Sequence, residues 1–347
     1  MRQKEKTRLS LGTASIPPVQ QYLEAGRSCG ADISQALKHA DISFAELNQP
    51  QGRISGDKFQ RLLIHLIDAV EQPLFGLHSA RFVQPDSFSV LGEISQQAED
   101  LSQALKESMP LEKLVGDMGV TEFRVHHHGL KMIWHCQYSH PQVIPQMIDN
   151  VLASWVNYAR WLLGNEQASP LEVHLQKTAP QLKQQQQYQA FFHCPVKFEQ
   201  RHNALLIPHS LLTHPLSHAN LSQLKQLHER ARQQLNDIDE TNQIRLNAAR
   251  IIRRLLTQEK IQRDKVASHM HMSGRSLQRK LLAEGISFQQ LLDQVRYEMA
   301  DYWLEYSKLS MVDISLQLGF SDVRVFFRAY KQWSGQSPGQ SRLEGIL

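Results

Sequence analysis

263-RDKVASHMHMSGRSLQRKLLAEG-285 and 311-MVDISLQLGFSDVRVFFRAYKQW-333 share one plan: a short helix, a tight turn and a second, more polar helix. In the first stretch the spacing predicts a support helix over 263–270 with Val266, Ala267 and Met270 turned inward, and a turn near His271 and Met272. Ser273 is placed as an N-cap, because its hydroxyl can accept a hydrogen bond from a free backbone N–H of the next helix. In the second stretch Ser310 is a candidate cap, Ile314 and Leu318 point inward, Gly319 permits a left-handed turn, and Phe320 plugs the core. Ser321 and Asp322 then cap a second helix in which Phe326 and Tyr330 face inward. Between the two stretches, 288–306 reads as one long helix with Leu291, Leu292, Val295, Met299, Tyr302 and Trp303 along its buried side.

The outer faces carry the chemistry. Leu277 and Leu281 mark the core side of the first polar helix; Arg275, Gln278, Arg279 and Leu282 share the opposite side by the i, i+3, i+4, i+7 rule. On the second, Arg324 and Arg328 lie four apart and face out. Arginine can bond the O6/N7 edge of guanine in a fork and glutamine the N6/N7 edge of adenine, while valine methyls such as those of Val323 and Val325 suit the thymine methyl. Most such stripes are plain solvated faces. The helix-turn-helix setting favours the other reading, since that motif lays its second helix in the major groove. Lys331 and Arg342 suit phosphate. Arg296, on the long helix, is equally suited to packing and to phosphate. Two readers on one rigid helix are expected about one DNA turn, roughly 34 Å, apart.

Charge is divided in the same way. The chain of 347 residues has a net charge of +4. Residues 241–347 hold 16 Lys+Arg against 10 Asp+Glu, a net +6, whereas 1–240 hold 22 against 24, a net −2. Phosphate neutralisation supplies most non-specific DNA affinity, so an excess of this kind belongs with the readers. Three well-separated cysteines, Cys29, Cys136 and Cys194, form no CxxC pair, which argues against a disulfide framework or a thiolate zinc site. No apolar run reaches membrane-spanning length and the start of the chain lacks signal-peptide character, so a cytoplasmic location without a membrane partner is expected. No P-loop, dinucleotide fingerprint or nucleophile elbow appears, and no enzymatic role, cofactor or metal is expected.

Ahead of the readers, 19–118 is mainly helical, as in 59-FQRLLIHLIDAV-70, with Pro110 expected to break the pattern. Alternation over 120–127 and 131–138 about Gly129 predicts a hairpin. An amphipathic helix is expected over 145–163, and short strands over 171–176, 196–198 and 204–207. A polar helical stretch, 217–240, carries Leu221, Leu224, Leu227 and Ala231 on one stripe, too few positions for a convincing coiled coil. The expected fold is an α+β N-terminal sensor domain followed by an all-α C-terminal domain with two helix-turn-helix motifs joined by a long helix. Its divisions are a disordered start over 1–18, an effector-binding or dimerisation domain over 19–215, independent of the C-terminal part, a linker helix over 216–240 and the DNA-binding domain over 241–347.

The segments MSGRSLQRKLLAEG (272–285) and DISLQLGFSDVRVFFRAYKQWSGQSP (313–338) resemble the DNA-binding domain of the AraC/XylS family of bacterial transcription regulators, over about 241–344. Ser315 stands where that family usually has Ala, and Gly274 sits in a helix start that prefers other residues. The resemblance assigns base reading to Arg275, Gln278 and Arg279 in the first helix, with Ser276 beside them, and to Val323, Arg324 and Arg328 in the second, with Lys331 nearby. The order helices, LGEISQQAEDLSQALKESMPL (91–111), hairpin, helix and AFFHCPVKFEQRHNALLIPHSLLTHPL (190–216) resembles the arabinose-binding-like N-terminal domain of part of the family. In such proteins that domain senses a small molecule, mediates dimerisation, or both.

The resemblance implies a regulator, expected to be an activator, with double-stranded promoter DNA and RNA polymerase as partners, a small-molecule effector and a possible homodimer. Trp155, Tyr158 and Trp161 are candidate cavity residues, with plain core as the competing reading. Arg81, Lys131 and Arg160 are candidates to meet an acidic head group, the effector being fatty-acid-like first and an amino acid second. His126, His127, His128 and His135 invite a metal reading, but no carboxylate or cysteine ligand pattern surrounds them. Competing functions are a constitutive DNA-binding protein whose N-terminal domain only dimerises or binds a protein, and an enzyme with a DNA-targeting module.

Overall fold

The computed structural model describes residues 11–49, 52–217, 219–241, 244–256 and 261–344. Its N-terminal part is α+β. Strands β1 (Thr13–Ser15) and β2 (Arg53–Ser55) form a small antiparallel pair. The main sheet has five strands in the order β3-β4-β7-β5-β6, with β3 at Gly119–His126, β4 at Gly129–Cys136, β5 at Glu172–His174, β6 at Val196–Lys197 and β7 at Ala204–Pro208. The β5–β6 pair is parallel and the others antiparallel. The hairpin turns at His127 and His128, one residue before the glycine expected at its tip.

The domain begins earlier than composition predicts. Pro17 and Pro18 lie in the first turn of the Ile16–Ser28 helix, where a missing N–H costs nothing and a fixed φ fits. Residues 13–18 are therefore strand and helix, and residues 1–10 of the expected disordered start lie outside the described residues. Pro110 ends the Leu101–Ser108 helix as expected, and the chain continues as a 3₁₀ segment, Met109–Leu114. Against the sheet lies the Val143–Leu163 helix, which buries Met147, Ile148, Leu152 and Val156.

The polar linker forms the Leu221–Thr241 helix. Leu224, Leu227 and Ala231 are buried against Val90, Leu91, Ile94, Leu111 and Leu114 of the same chain, whereas Leu221 is exposed. Its stripe is thus covered by its own domain.

The all-α C-terminal part comprises the Ile244–Leu256 helix, a first helix pair (Arg263–His269 and Gly274–Ala283), the spacer helix Phe288–Tyr306, a second pair (Met311–Gln317 and Val323–Ser334) and Pro338–Glu344. It is not packed independently of the N-terminal part. Tyr302 and Trp303 of the spacer line an interdomain crevice with Tyr138, Ile144 and Ile148, and the core of the second pair is continuous with that of the N-terminal domain. Polar contacts cross the same seam. Arg250 Nη2 donates to Glu112 Oε1 at 3.0 Å, Arg253 Nη1 to Gln137 Oε1 at 3.0 Å and Lys113 Nζ to Asn247 Oδ1 at 3.1 Å.

Candidate nucleic-acid interface and effector cavity

Each reader helix is started by a side-chain cap. Ser273 Oγ accepts the Ser276 N–H at 3.2 Å, and Asp322 Oδ1 accepts the Arg324 N–H at 2.7 Å. Ser310 and Asp313 form a reciprocal capping box ahead of the second support helix, and Ser287 and Gln290 do the same for the spacer. Each satisfies backbone donors that the first turn of a helix leaves orphaned. Gly319, at φ +71°, makes the left-handed turn between the second pair. At Gly274, where the sequence departs from the family pattern, a Cβ would fall 1.6 Å from Oδ1 of the exposed Asp264 side chain, which would have to swing aside. The glycine leaves room for that carboxylate at the N-terminus of the first reader, where the helix dipole favours an anion.

In the first reader Leu277 and Leu281 are fully buried; Arg275 and Arg279 are exposed, and Ser276 and Gln278 are half-buried. In the second, Phe326 and Tyr330 are buried, while Arg324, Arg328 and Lys331 are exposed. Val323 is half-buried and packs against the core, so its methyls are less available than expected. Val325 and Phe327 are exposed instead. Phe327 was missed in the sequence, although its position next to inward-facing Phe326 already set it on the outer side.

Arg324 Nη2 lies 3.1 Å from Asp322 Oδ2 with both side chains open to solvent. The Arg324 backbone N–H, then its guanidinium, hold the Asp322 carboxyl below the usual carboxylate range. Arg296 is a packing residue. Its Nε donates to Leu318 O at 2.9 Å and its guanidinium lies 4.4 Å from the Phe320 ring centre. Arg342 donates to Leu309 O at 2.8 Å, so its fork closes the second unit rather than reaching outward.

Two small cavities lie within the N-terminal domain. One, of about 90 Å³, is walled almost wholly by apolar groups, among them Leu105, Met132, Trp155, Tyr158 and Leu162. Tyr158 Oη donates to Gly92 O at 2.9 Å, and burial raises the pKa of its phenol. The other, of about 80 Å³, shares Phe88, Leu91, Met109 and Trp155 with the first and adds Gln21, Tyr22, Glu112 and Asn150.

The cationic candidates do not join Trp155. Arg160 lies five residues beyond it, about 140° around a helix, and turns away. Only 6% exposed, its Nε donates to Ala168 O at 2.9 Å. It lines a separate polar cleft with Arg81, His78, His193 and Glu166. Lys131 sits on β4 opposite Arg124; burial, then the Arg124 charge, lower its pKa.

His126, His127 and His128 stack on one another at the hairpin tip, with ring centres 3.9 to 5.6 Å apart, while His135 Nε2 lies 2.8 Å from Glu122. No group of three or more metal-ligating side chains is assembled among the described residues. All three cysteines are free. Burial pushes Cys136 up to about 12 and Cys194 to about 11, which removes the thiolate that nucleophilic or redox chemistry requires. No helix among the described residues is long and apolar enough to cross a membrane.

Comparison with known proteins agrees with this geometry. Residues 30–216 match the arabinose-binding N-terminal domain of AraC transcription regulators, and residues 266–344 match a helix-turn-helix domain. The chain is similar to the ornithine utilization regulator of Pseudomonas aeruginosa, at 25% identity over 95% of this chain and 97% of that one. It is also similar to the HTH-type transcriptional regulator VirS of Mycobacterium tuberculosis, at 24% identity over 93% and 94%. Among solved structures, the transcriptional regulator CdpR from Pseudomonas aeruginosa aligns over 89% of this chain and 96% of its own, with 19% identity and a TM-score of 0.45.

Proposed function

The chain belongs to the family of transcription regulators built on the AraC arabinose-binding N-terminal domain and a helix-turn-helix domain, and on that premise we propose that a small-molecule effector in the Trp155 cavity governs how its two readers engage promoter DNA. The observation that carries this reading is the pairing of two features. A largely apolar cavity lies in the N-terminal domain, and Glu112, in the wall of its neighbour, also bonds Arg250 of the DNA-binding part. Ligand cavities are typically apolar with a few placed polar groups. Base reading falls to Arg275, Gln278 and Arg279 in the first helix and to Arg324 and Arg328 in the second, with Ser276, Val323 and Lys331 at the margins. Activation through RNA polymerase and homodimerisation are part of the proposal.

The decisive test is Trp155→Ala in the full chain. This variant is expected to bind operator DNA as wild type does in a mobility-shift assay but to lose effector response in a promoter reporter. A normal response to an identified effector would place the sensing site elsewhere.

An amino-acid effector is the second reading. It is favoured by the cleft in which Arg81 and Arg160 offer cations and Glu166 an anion, the charge pattern of a zwitterion, and by similarity to a regulator of ornithine utilization. A thermal shift with ornithine that Arg81→Ala abolishes and Trp155→Ala does not would favour it. A ligand at 100 times its Kd adds about 2.7 kcal/mol.

A further inference from the structure

The Trp155 cavity and its neighbour share part of their walls and differ in polarity. At the Tyr158 end the wall is almost entirely hydrocarbon. Past Trp155, Gln21, Tyr22, Glu112, Thr121 and Asn150 enter it. Four shared residues make the two spaces neighbours, and Trp155 is the largest of them. A cavity of about 150 Å³ lined by apolar groups admits a molecule the size of benzene. Neither space reaches that alone, whereas a ligand that passes Trp155 has both.

No lysine, arginine or histidine stands in either wall among the described residues. The one ionisable carboxylate, Glu112, already accepts the Thr121 N–H at 2.9 Å and hydroxyl at 2.7 Å, and Arg250 at 3.0 Å. An anionic head group would be desolvated here without a cation in the wall and beside a carboxylate, an arrangement that disfavours its charged form. Most amide donors at the polar end are engaged within the protein: Gln21 Nε2 donates to Ser79 O and Ser154 Oγ, and Asn150 Nδ2 to Ser79 Oγ. Tyr22 differs. Its hydroxyl is buried and meets no group in hydrogen-bond geometry; the polar side chain that interacts with it, Ser79, has its Oγ already donating to Gly76 O and accepting from Asn150. Burial, then the neighbouring Cys136 and Asp149, raise the Tyr22 pKa well above its ordinary value, so the group is an O–H donor at any ordinary pH. A buried donor left unpaired calls for an acceptor.

We infer that the effector is a neutral amphiphile, its hydrocarbon part beside Tyr158 and Leu162 and its one hydrogen-bond acceptor, a carbonyl or ether-type oxygen, at the Tyr22 end of the paired cavities. This rests on the reading that the Trp155 cavity is the sensing site, and it replaces the fatty-acid expectation. The Arg81 and Arg160 side chains that would hold a carboxylate lie in another cleft.

The test uses the full chain and two chain-matched probes, 2-heptanone and heptanoate, at pH 7.5, read by thermal shift and tryptophan fluorescence, with Trp155→Phe to assign the signal. The ketone is expected to bind at least tenfold more tightly than the carboxylate. Tyr22→Phe, which keeps the ring and its packing, is expected to weaken the ketone roughly threefold to tenfold, the net worth of one hydrogen bond. Equal or tighter binding of heptanoate with a Trp155 signal overturns the neutral-ligand inference while leaving the sensing site in place. A ketone affinity unchanged in Tyr22→Phe overturns the placement of its oxygen. No response to either probe at Trp155 overturns the inference together with the site.

Discussion

In the first reader unit Ala248, Ile252, Leu277, Leu281 and Val295 form a core of their own, and the unit meets the N-terminal domain through Arg250–Glu112, Arg253–Gln137 and Lys113–Asn247. In the second, Ile314, Leu318, Phe326 and Tyr330 belong to a core that runs on through Tyr302 and Trp303 into the N-terminal domain. One unit is held by groups that water can replace, the other by apolar surface that water cannot. Exposing apolar area costs roughly 25 cal/mol per Å², whereas the polar seam rests on a few discrete contacts, among them the Arg250–Glu112 pair, each side chain less than a fifth exposed. The second reader therefore moves with the sensor, and the first is coupled to it through those contacts.

The largest effect that would break this comparison comes from the two cores. Trp303→Ala should destabilise the protein by about 3–5 kcal/mol in denaturant unfolding, and Leu277→Ala by about 2–5 kcal/mol. The distribution decides: hydrogen exchange in Trp303→Ala should rise on both sides of the seam, and in Leu277→Ala only in residues 244–306. Loosening of the N-terminal sheet by Leu277→Ala would show that the first core is not separate.

A smaller effect concerns the readers themselves. Arg279→Ala and Arg328→Ala should each weaken specific DNA binding by about 1–3 kcal/mol with the fold intact, measured by titration with operator and scrambled duplex. Wild-type affinity in both variants would mean that these faces do not read bases.

The smallest effect sharpens how the seam responds to pH. His202 lines the interdomain crevice with Arg253, Tyr302 and Trp303. Burial, then the charges of Arg124 and His135, lower it from 6.5 to about 3. Below pH 6.5 the unfolded chain takes up the proton first, so the stability this group contributes is present above pH 6.5 and is lost as pH falls toward 3. Tm should drop between pH 7.5 and 5, and His202→Gln should flatten that dependence; an unchanged slope would remove His202 as its source.

What the sequence revealed depended on how local the signal was. Ser273, Ser310 and the 288–306 helix were legible because a cap or an apolar stripe is written in adjacent residues. The Leu182–Phe192 helix was not, since its Gln run leaves only Tyr188 and Phe192 buried. Trp155 and Tyr158, three residues apart on one helix, line the same cavity. Grouping Arg160 with them ignored the turn of that helix, a rule available without coordinates. The Glu112–Arg250 contact joins residues 138 apart, and no periodicity signals it.

The ion pair at the start of the second reader bears on its affinity. In the proposed role Arg324 would reach DNA already holding the carboxylate of Asp322, which is also the cap of its own helix. Asp322 is an intramolecular competitor for the phosphate or guanine that Arg324 would meet. A matched and a mismatched site must both displace it, at the same cost. That cost lowers the affinity of every encounter through Arg324 and leaves the difference between sites unchanged, so the cap of the helix tunes how tightly it would hold DNA and not which site it would choose.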